Sequence, residues 1–291
     1  MDADQELRCM ANVGAVLGEG PVWVVRDRAL YWVDIKGLKI FRLDPQGTLT
    51  VWETPFRICS LAPRRDRGFI AGTERGFALI DLDSPSFEAF THPEPDRPGN
   101  RFNDGKLDRS GRFWAGTMDD SELSANGALY RLDHDRSWHR VDDGYNVPNG
   151  PAFSRDGRRM YHNDSARQMT FVFDLDDQGV PSNRRLFARY REGDGYPDGM
   201  TVDSDDCLWI AFWDGWCVRR YSPKGDCLKK ISLPVQKPTS CAFGGKNMTQ
   251  LFVTSASIGL TKRERADQPC AGGLFMLDTA YVGLEDVPFE G

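Results

Sequence analysis

Glu19-Gly20-Pro21-Val22-Trp23 and Asn149-Gly150-Pro151-Ala152-Phe153 are two copies of one pattern: a polar residue, a small residue, a short apolar strand and then a turn. Asn103-Asp104-Gly105-Lys106-Leu107, Asp198-Gly199-Met200-Thr201-Val202 and Ser240-Cys241-Ala242-Phe243 extend the series. The starts lie 84, 46, 49 and 42 residues apart, so the first interval holds two units. The start it hides falls near Arg57–Cys59, where the polar residue is not clearly retained. A second pattern, an apolar strand ending in Asp, recurs at Asp44, Asp81, Asp133, Asp174 and Asp278, with Ser222 in the remaining place. Self-similarity at this period marks propellers, in which each unit is one four-stranded blade that cannot bury its faces alone. The expected fold is all-β: a six-bladed β-propeller with four-stranded antiparallel blades, a single domain over residues 1–291.

Other features agree with that architecture. Short strand-like runs such as Ala29–Ile35, Arg112–Asp119 and Leu208–Gly215, bounded by Gly, Asp, Asn and Pro, fill the chain, and no amphipathic helical pattern persists. A closed ring removes open sheet edges, so residues near Leu7–Val16 are expected beside the segment following Phe275. Acidic residues outnumber basic ones by 43 to 37 and no dense Lys/Arg run occurs, which argues against a nucleic-acid partner. Met1–Met10 carries acidic groups without an apolar core, and no run of about 18 apolar residues exists, so neither a membrane nor export is expected. Seven cysteines without a CxxC pair read as reduced, mostly buried thiols, which fits a reducing cytoplasm, and a monomer is expected.

In a propeller the innermost strand of each blade runs beside the central channel, so residues at one blade position converge on the axis. Glu19, Asn103, Asn149 and Asp198 hold that position. Asn and Asp also recur wherever a tight turn is needed, but Glu is a poor turn residue, and two carboxylates meeting at a channel mouth require a compensating cation. Two carboxylates and an amide carbonyl form an all-oxygen set that suits a hard or borderline divalent ion. The four histidines, His92, His134, His139 and His162, do not pair at metal-ligand spacing. No G-x-S-x-G, H-E-x-x-H or G-x-G-x-x-G motif is present. Arg101 and Asn103 place a guanidinium and an amide at the third blade's mouth, where they can hydrogen-bond hydroxyls or a carbonyl of a sugar-like ligand.

These residues, together with Tyr31-Trp32-Val33-Asp34-Ile35, Trp114-Ala115-Gly116-Thr117-Met118, Pro148-Asn149-Gly150, Pro197-Asp198-Gly199-Met200 and Pro238-Thr239-Ser240-Cys241, resemble the senescence-marker-protein, gluconolactonase and luciferin-regenerating-enzyme family, which includes regucalcin. The likeness runs from about Leu17 to Leu277. It implies a six-bladed propeller with one divalent metal ion (Ca, Mn, Zn, Fe(II) or Mg) held by Glu19, Asn149 and Asp198. It also implies substrate contacts at Arg101 and Asn103. Acidic lid contacts of some members fall just after Met118, in Asp119-Asp120-Ser121-Glu122, and Asp120 is assigned that contact. The implied activity is hydrolysis of a sugar-acid lactone such as xylonolactone, arabinonolactone or gluconolactone, with Asp198 the candidate catalytic residue, either as a metal ligand alone or as a ligand that also serves as the base for the attacking water. The alternatives are a promiscuous metal-dependent esterase or phosphotriesterase, and a non-catalytic calcium-binding propeller.

Overall fold

The computed structural model describes residues 6–291. Six four-stranded antiparallel sheets surround a central axis. The innermost strands of blades 1 to 5 are Gly18–Val24, Ile58–Pro63, Asn100–Leu107, Pro148–Phe153 and Tyr196–Val202. Blade 6 runs outward from Pro238–Gly244 through Gln250–Ser255 and Leu274–Asp278 to Arg8–Ala11, so its outermost strand comes from the N-terminal end. Arg8 faces Met276 and Cys9 faces Phe275, as ring closure requires. Innermost strands pack side by side around the ring, blade 6 against blade 1 included. They are buried almost throughout, whereas outermost strands such as Leu49–Glu53 alternate with solvent.

The recurring Asp has a local cause. Asp44 Oδ1 accepts the N–H groups of Gln46 and Thr48 at 3.0 and 2.8 Å, closing the turn to the next strand. Ser222 Oγ accepts those of Lys224 and Asp226, both at 3.2 Å, and so can replace Asp in blade 5. A further repeat, not read from the sequence, ties innermost to second strands. Asp108 and Asp203 are buried and accept the indole N–H of Trp114 and Trp209 at 2.9 and 2.8 Å, and each also bonds backbone N–H groups in its turn.

Every innermost strand breaks register near its start: between Glu19 and Val22, Ile58 and Ser60, Phe102 and Gly105, Asn149 and Ala152, Pro197 and Met200, and Pro238 and Ser240. Such bulges re-aim side chains. Gly20 and Gly150, at φ +54° and +85°, supply the left-handed backbone that two of these kinks need. The blurred blade 2 start is thereby located: Ser60 falls at its bulge.

Past Asp278 the chain runs back across the face opposite the strand starts. Gly283 bridges to Asp203 of blade 5, Phe289 bridges to Arg64 of blade 2, and the Phe289 ring is fully buried. One short helix among the described residues, Lys262–Asp267, lies between the second and third strands of blade 6 and starts with a capping box from Thr261 and Glu264. All seven cysteines are free; Cys59, Cys207, Cys217 and Cys241 are buried, whereas Cys227 is exposed.

Candidate metal and substrate site

The bulges bring Glu19, Asn103, Asn149 and Asp198, from blades 1, 3, 4 and 5, to the wall of one cavity of about 530 Å³ at the strand-start end of the axis. Arg101 lines it as well. The five side chains are buried. Glu19 accepts the N–H of Gly20 at 3.0 Å, and no Lys or Arg lies within ion-pair distance of Glu19, Asp104 or Asp198 among the described residues. Burial, and then the neighbouring charge of Asp104, pushes the Glu19 carboxyl from its ordinary 4.5 up to about 8. Asp198 is raised well above the usual carboxylate range by burial and by the charges of Glu19 and Asp104. Asp104 is raised by burial as well, although Lys106 and the N–H groups of Gly150 and Gly105 oppose the rise. Three carboxylates crowd an axis that holds too little positive charge for them.

A divalent cation fits this arrangement. Asn149 Oδ1 accepts one hydrogen bond, from Asn103 Nδ2 at 2.9 Å, and keeps a second lone pair. Glu19 and Asp198 line the same cavity, and the three oxygen donors would supply a hard ligand set with positions left for water or substrate. Among the described residues no three His, Cys, Asp or Glu groups gather so that they could hold a metal ion by themselves. The hydroxyls of Ser60 and Ser240, at the corresponding bulges of blades 2 and 6, are buried without partners. His162 is buried with both ring nitrogens unpaired, edge-on to Tyr145, and burial drives its ring from 6.5 down to about 3.

Arg101 donates from Nη1 to Asn103 Oδ1 and to the Phe102 carbonyl, both at 2.9 Å, and from Nε to Asp120 Oδ1 at 2.6 Å. Asn103 spends both amide hydrogens, on Pro148 O and Asn149 Oδ1. It therefore connects the guanidinium to the proposed ligand. Asp120 is placed differently from its expected lid position: it lies between Arg101 and Arg57, which donates to it at 2.8 Å, and it does not line the cavity. Burial pushes the Asp120 carboxyl up, but the hydrogen bonds from Arg57 and Arg101 outweigh it and hold it at about 2. Glu122, two residues on at φ +60°, reaches the cavity instead. Lys36, Tyr196, Trp213 and Lys237 also line the cavity and were not read from the sequence: Lys36 and Lys237 sit in loops, while Tyr196 opens the innermost strand of blade 5 and Trp213 ends the next strand, outside the repeated pattern.

The carboxylate crowding has a measurable consequence. A carboxyl raised from 4.5 to about 8 on folding adds stability below 4.5 that is lost as pH rises through 8. His162 acts with the opposite sign, but its contribution is already complete above 6.5. The melting temperature of chelator-treated protein should therefore fall by roughly several degrees between pH 6.5 and 8, and saturating divalent cation should abolish the slope. A metal-free melting temperature that is flat or rising over that interval would show that the axis carries no such excess of negative charge.

Residues 17–257 match the family model described as the SMP-30/Gluconolactonase/LRE-like region. The chain is 35% identical over 290 residues to 6-deoxy-6-sulfogluconolactonase of Pseudomonas putida, covering 99% of this chain and 100% of that one. It is 38% identical over 287 residues to L-arabinolactonase of Azospirillum brasilense, covering 97% and 95%. Its fold superposes with a TM-score of 0.94, at 26% identity and over 99% and 98% of the two chains, on the crystal structure of a calcium-binding protein, regucalcin, from Agrobacterium tumefaciens.

Proposed function

We propose that this chain, which belongs to the SMP-30/Gluconolactonase/LRE-like family, opens sugar-acid lactones by hydrolysis at a divalent-cation site made by Glu19, Asn149 and Asp198. The observation that carries the reading is the convergence of two buried carboxylates and an amide oxygen on a 530 Å³ cavity also lined by Arg101 and Asn103. The names of the two lactonase relatives support the reaction class, and the calcium-binding neighbour supports a divalent cation. Free thiols throughout fit a reducing cytoplasm, and no helix among the described residues is long and apolar enough to cross a membrane.

When bound, the cation supplies Lewis-acid polarisation of the lactone carbonyl and the positive charge that Glu19 and Asp198 lack. The remaining work falls to the chain. Asp198 takes a proton from the attacking water, and that proton passes to the ring oxygen as the acyl C–O bond breaks, so one water is consumed and one free sugar acid leaves. Arg101, clamped by Asp120 and Asn103, lines the cavity and turns its guanidinium to ligand oxygens. Its fixed cation responds to negative charge developing on the opening ring.

The test is a pH-stat assay of a sugar-lactone panel, including xylonolactone, arabinonolactone and gluconolactone, with metal-loaded and chelator-treated protein, corrected for spontaneous opening. Activity should vanish on chelation and return with added divalent cation. Equal rates before and after chelation would remove the metal from the reaction. Metal binding with no acceleration of any lactone would favour a purely cation-binding propeller.

Asp120→Asn tests the clamp. It keeps the shape but weakens the hold on Arg101, and the pair is partly exposed, so KM should rise roughly three- to thirtyfold with a smaller change in kcat. An unchanged KM would show that Arg101 is positioned without Asp120.

A further inference from the structure

The cavity has a second charged wall. Arg101 and Asn103 come from blade 3 and Asn149 from blade 4, whereas Lys36 follows the second strand of blade 1 and Lys237 precedes the first strand of blade 6. In a six-membered ring blades 3 and 4 lie opposite blades 6 and 1. The two lysines are carried by one connected patch: Lys237 Nζ donates to the Ile258 carbonyl at 2.9 Å, Ile258 N–H donates to Val16 O at 3.0 Å, and Leu17 O accepts from Ile35, the neighbour of Lys36.

Neither ammonium has a carboxylate within ion-pair distance among the described residues. The nearby acids are committed elsewhere. Asp34 accepts the N–H groups of Val16, Leu17 and Gly37 at 2.8 to 2.9 Å. Glu264 caps the short helix through Thr261, and Asp214 accepts from Gln236 Nε2 at 2.8 Å. Lys237 is half-buried, with its Nζ 4.7 Å from the centre of the Trp213 ring. A Cβ at residue 259 would come within 3.3 Å of that nitrogen, so Gly259 at φ +73° preserves the space beside it. Glu122, the acid on the rim without an ion pair, belongs to blade 3 on the far side. Two ammonium groups without a carboxylate partner among the described residues thus line the cavity on the side opposite Arg101, the group proposed to hold the sugar.

We propose that Lys36 and Lys237 form an anion subsite, so that the preferred substrate is a sugar lactone whose far end carries a negative group, a carboxylate or a sulfonate, in place of a hydroxymethyl. This rests on the lactonase reading for the orientation of the ligand, but not for its test. Gluconate and glucarate differ only in that far end, and their binding to metal-loaded protein is measured by calorimetry, with no turnover needed. Glucarate should bind about tenfold tighter than gluconate, the preference should shrink with added salt, and it should collapse below about twofold in Lys36→Ala/Lys237→Ala. A six-carbon aldonate ending in sulfonate, run alongside, distinguishes a general anion site from a carboxylate-specific one. Equal affinities in wild type, or a preference that survives the double substitution, overturns the subsite. If the preference is found and lost as stated while no lactone is hydrolysed, the lactonase reading fails and the subsite stands.

Discussion

Asp198→Asn should lower kcat for the preferred lactone by about 10²–10⁴-fold at metal concentrations that restore full occupancy. The substitution preserves shape and an oxygen ligand but removes the group that accepts the proton. The surrounding fold gives little reason for collapse: Asp198 sits on Tyr196–Val202, and its backbone carbonyl, which accepts from Asn163 Nδ2 at 2.7 Å, is untouched. Loss of one of three mutually repelling buried carboxylates should leave the metal-free protein at least as stable as wild type at pH 8. Lost turnover with unchanged or increased metal-free stability separates chemistry from misfolding. Near-wild-type turnover in a metal-occupied Asp198→Asn would leave the axial set structural and take the base role from this residue.

The second large effect is on folding. Asp203 is fully buried and accepts from the backbone N–H groups of Asp205 and Cys207, from Trp209 Nε1 at 2.8 Å and from Arg220 Nε at 2.7 Å. Asp203→Ala strands these donors, and Arg220 keeps only the exposed Asp205 as an ionic partner. Breaking such a buried pair should cost about 3–5 kcal/mol in urea unfolding. Arg220 also lies 3.9 Å from the centre of the Tyr281 ring, so the C-terminal crossing should loosen with it and be cleaved faster by protease. A loss below about 1 kcal/mol would show that the Asp–Trp corners are decorations rather than braces of the blades.

How much of this was legible beforehand follows from which interactions are local. Blade number and most blade starts could be read because every blade meets the same demand, an apolar inner strand followed by a turn, and repeats it in sequence at Glu19, Asn103, Asn149, Asp198 and Ser240. The blade 2 start near Arg57–Cys59 stayed blurred in the sequence, and only the register break before Ser60 locates it. The Asp–Trp corners were present as Asp108 with Trp114 and Asp203 with Trp209, a six-residue spacing that carries meaning only once a strand turn brings the two side chains together.

The residue types at the axis, two carboxylates and an amide at equivalent places, by themselves carried the proposal of an oxygen-rich cation site, since burying such charges without compensation is costly. Tertiary structure alone decided the rest. Asp120 was the expected lid contact, yet the long side chains of Arg57, from blade 2, and Arg101, from blade 3, hold it outside the cavity lining. Lys36 and Lys237 are two hundred residues apart and share a wall only because closing the ring sets blade 6 against blade 1. The crossing of residues 279–291 over the opposite face depends on pockets such as the one that buries Phe289, which exist only after the blades have assembled. Periodic backbone demands are written locally and repeat, whereas the neighbours of a side chain in a ring are set by closure, which no local stretch records.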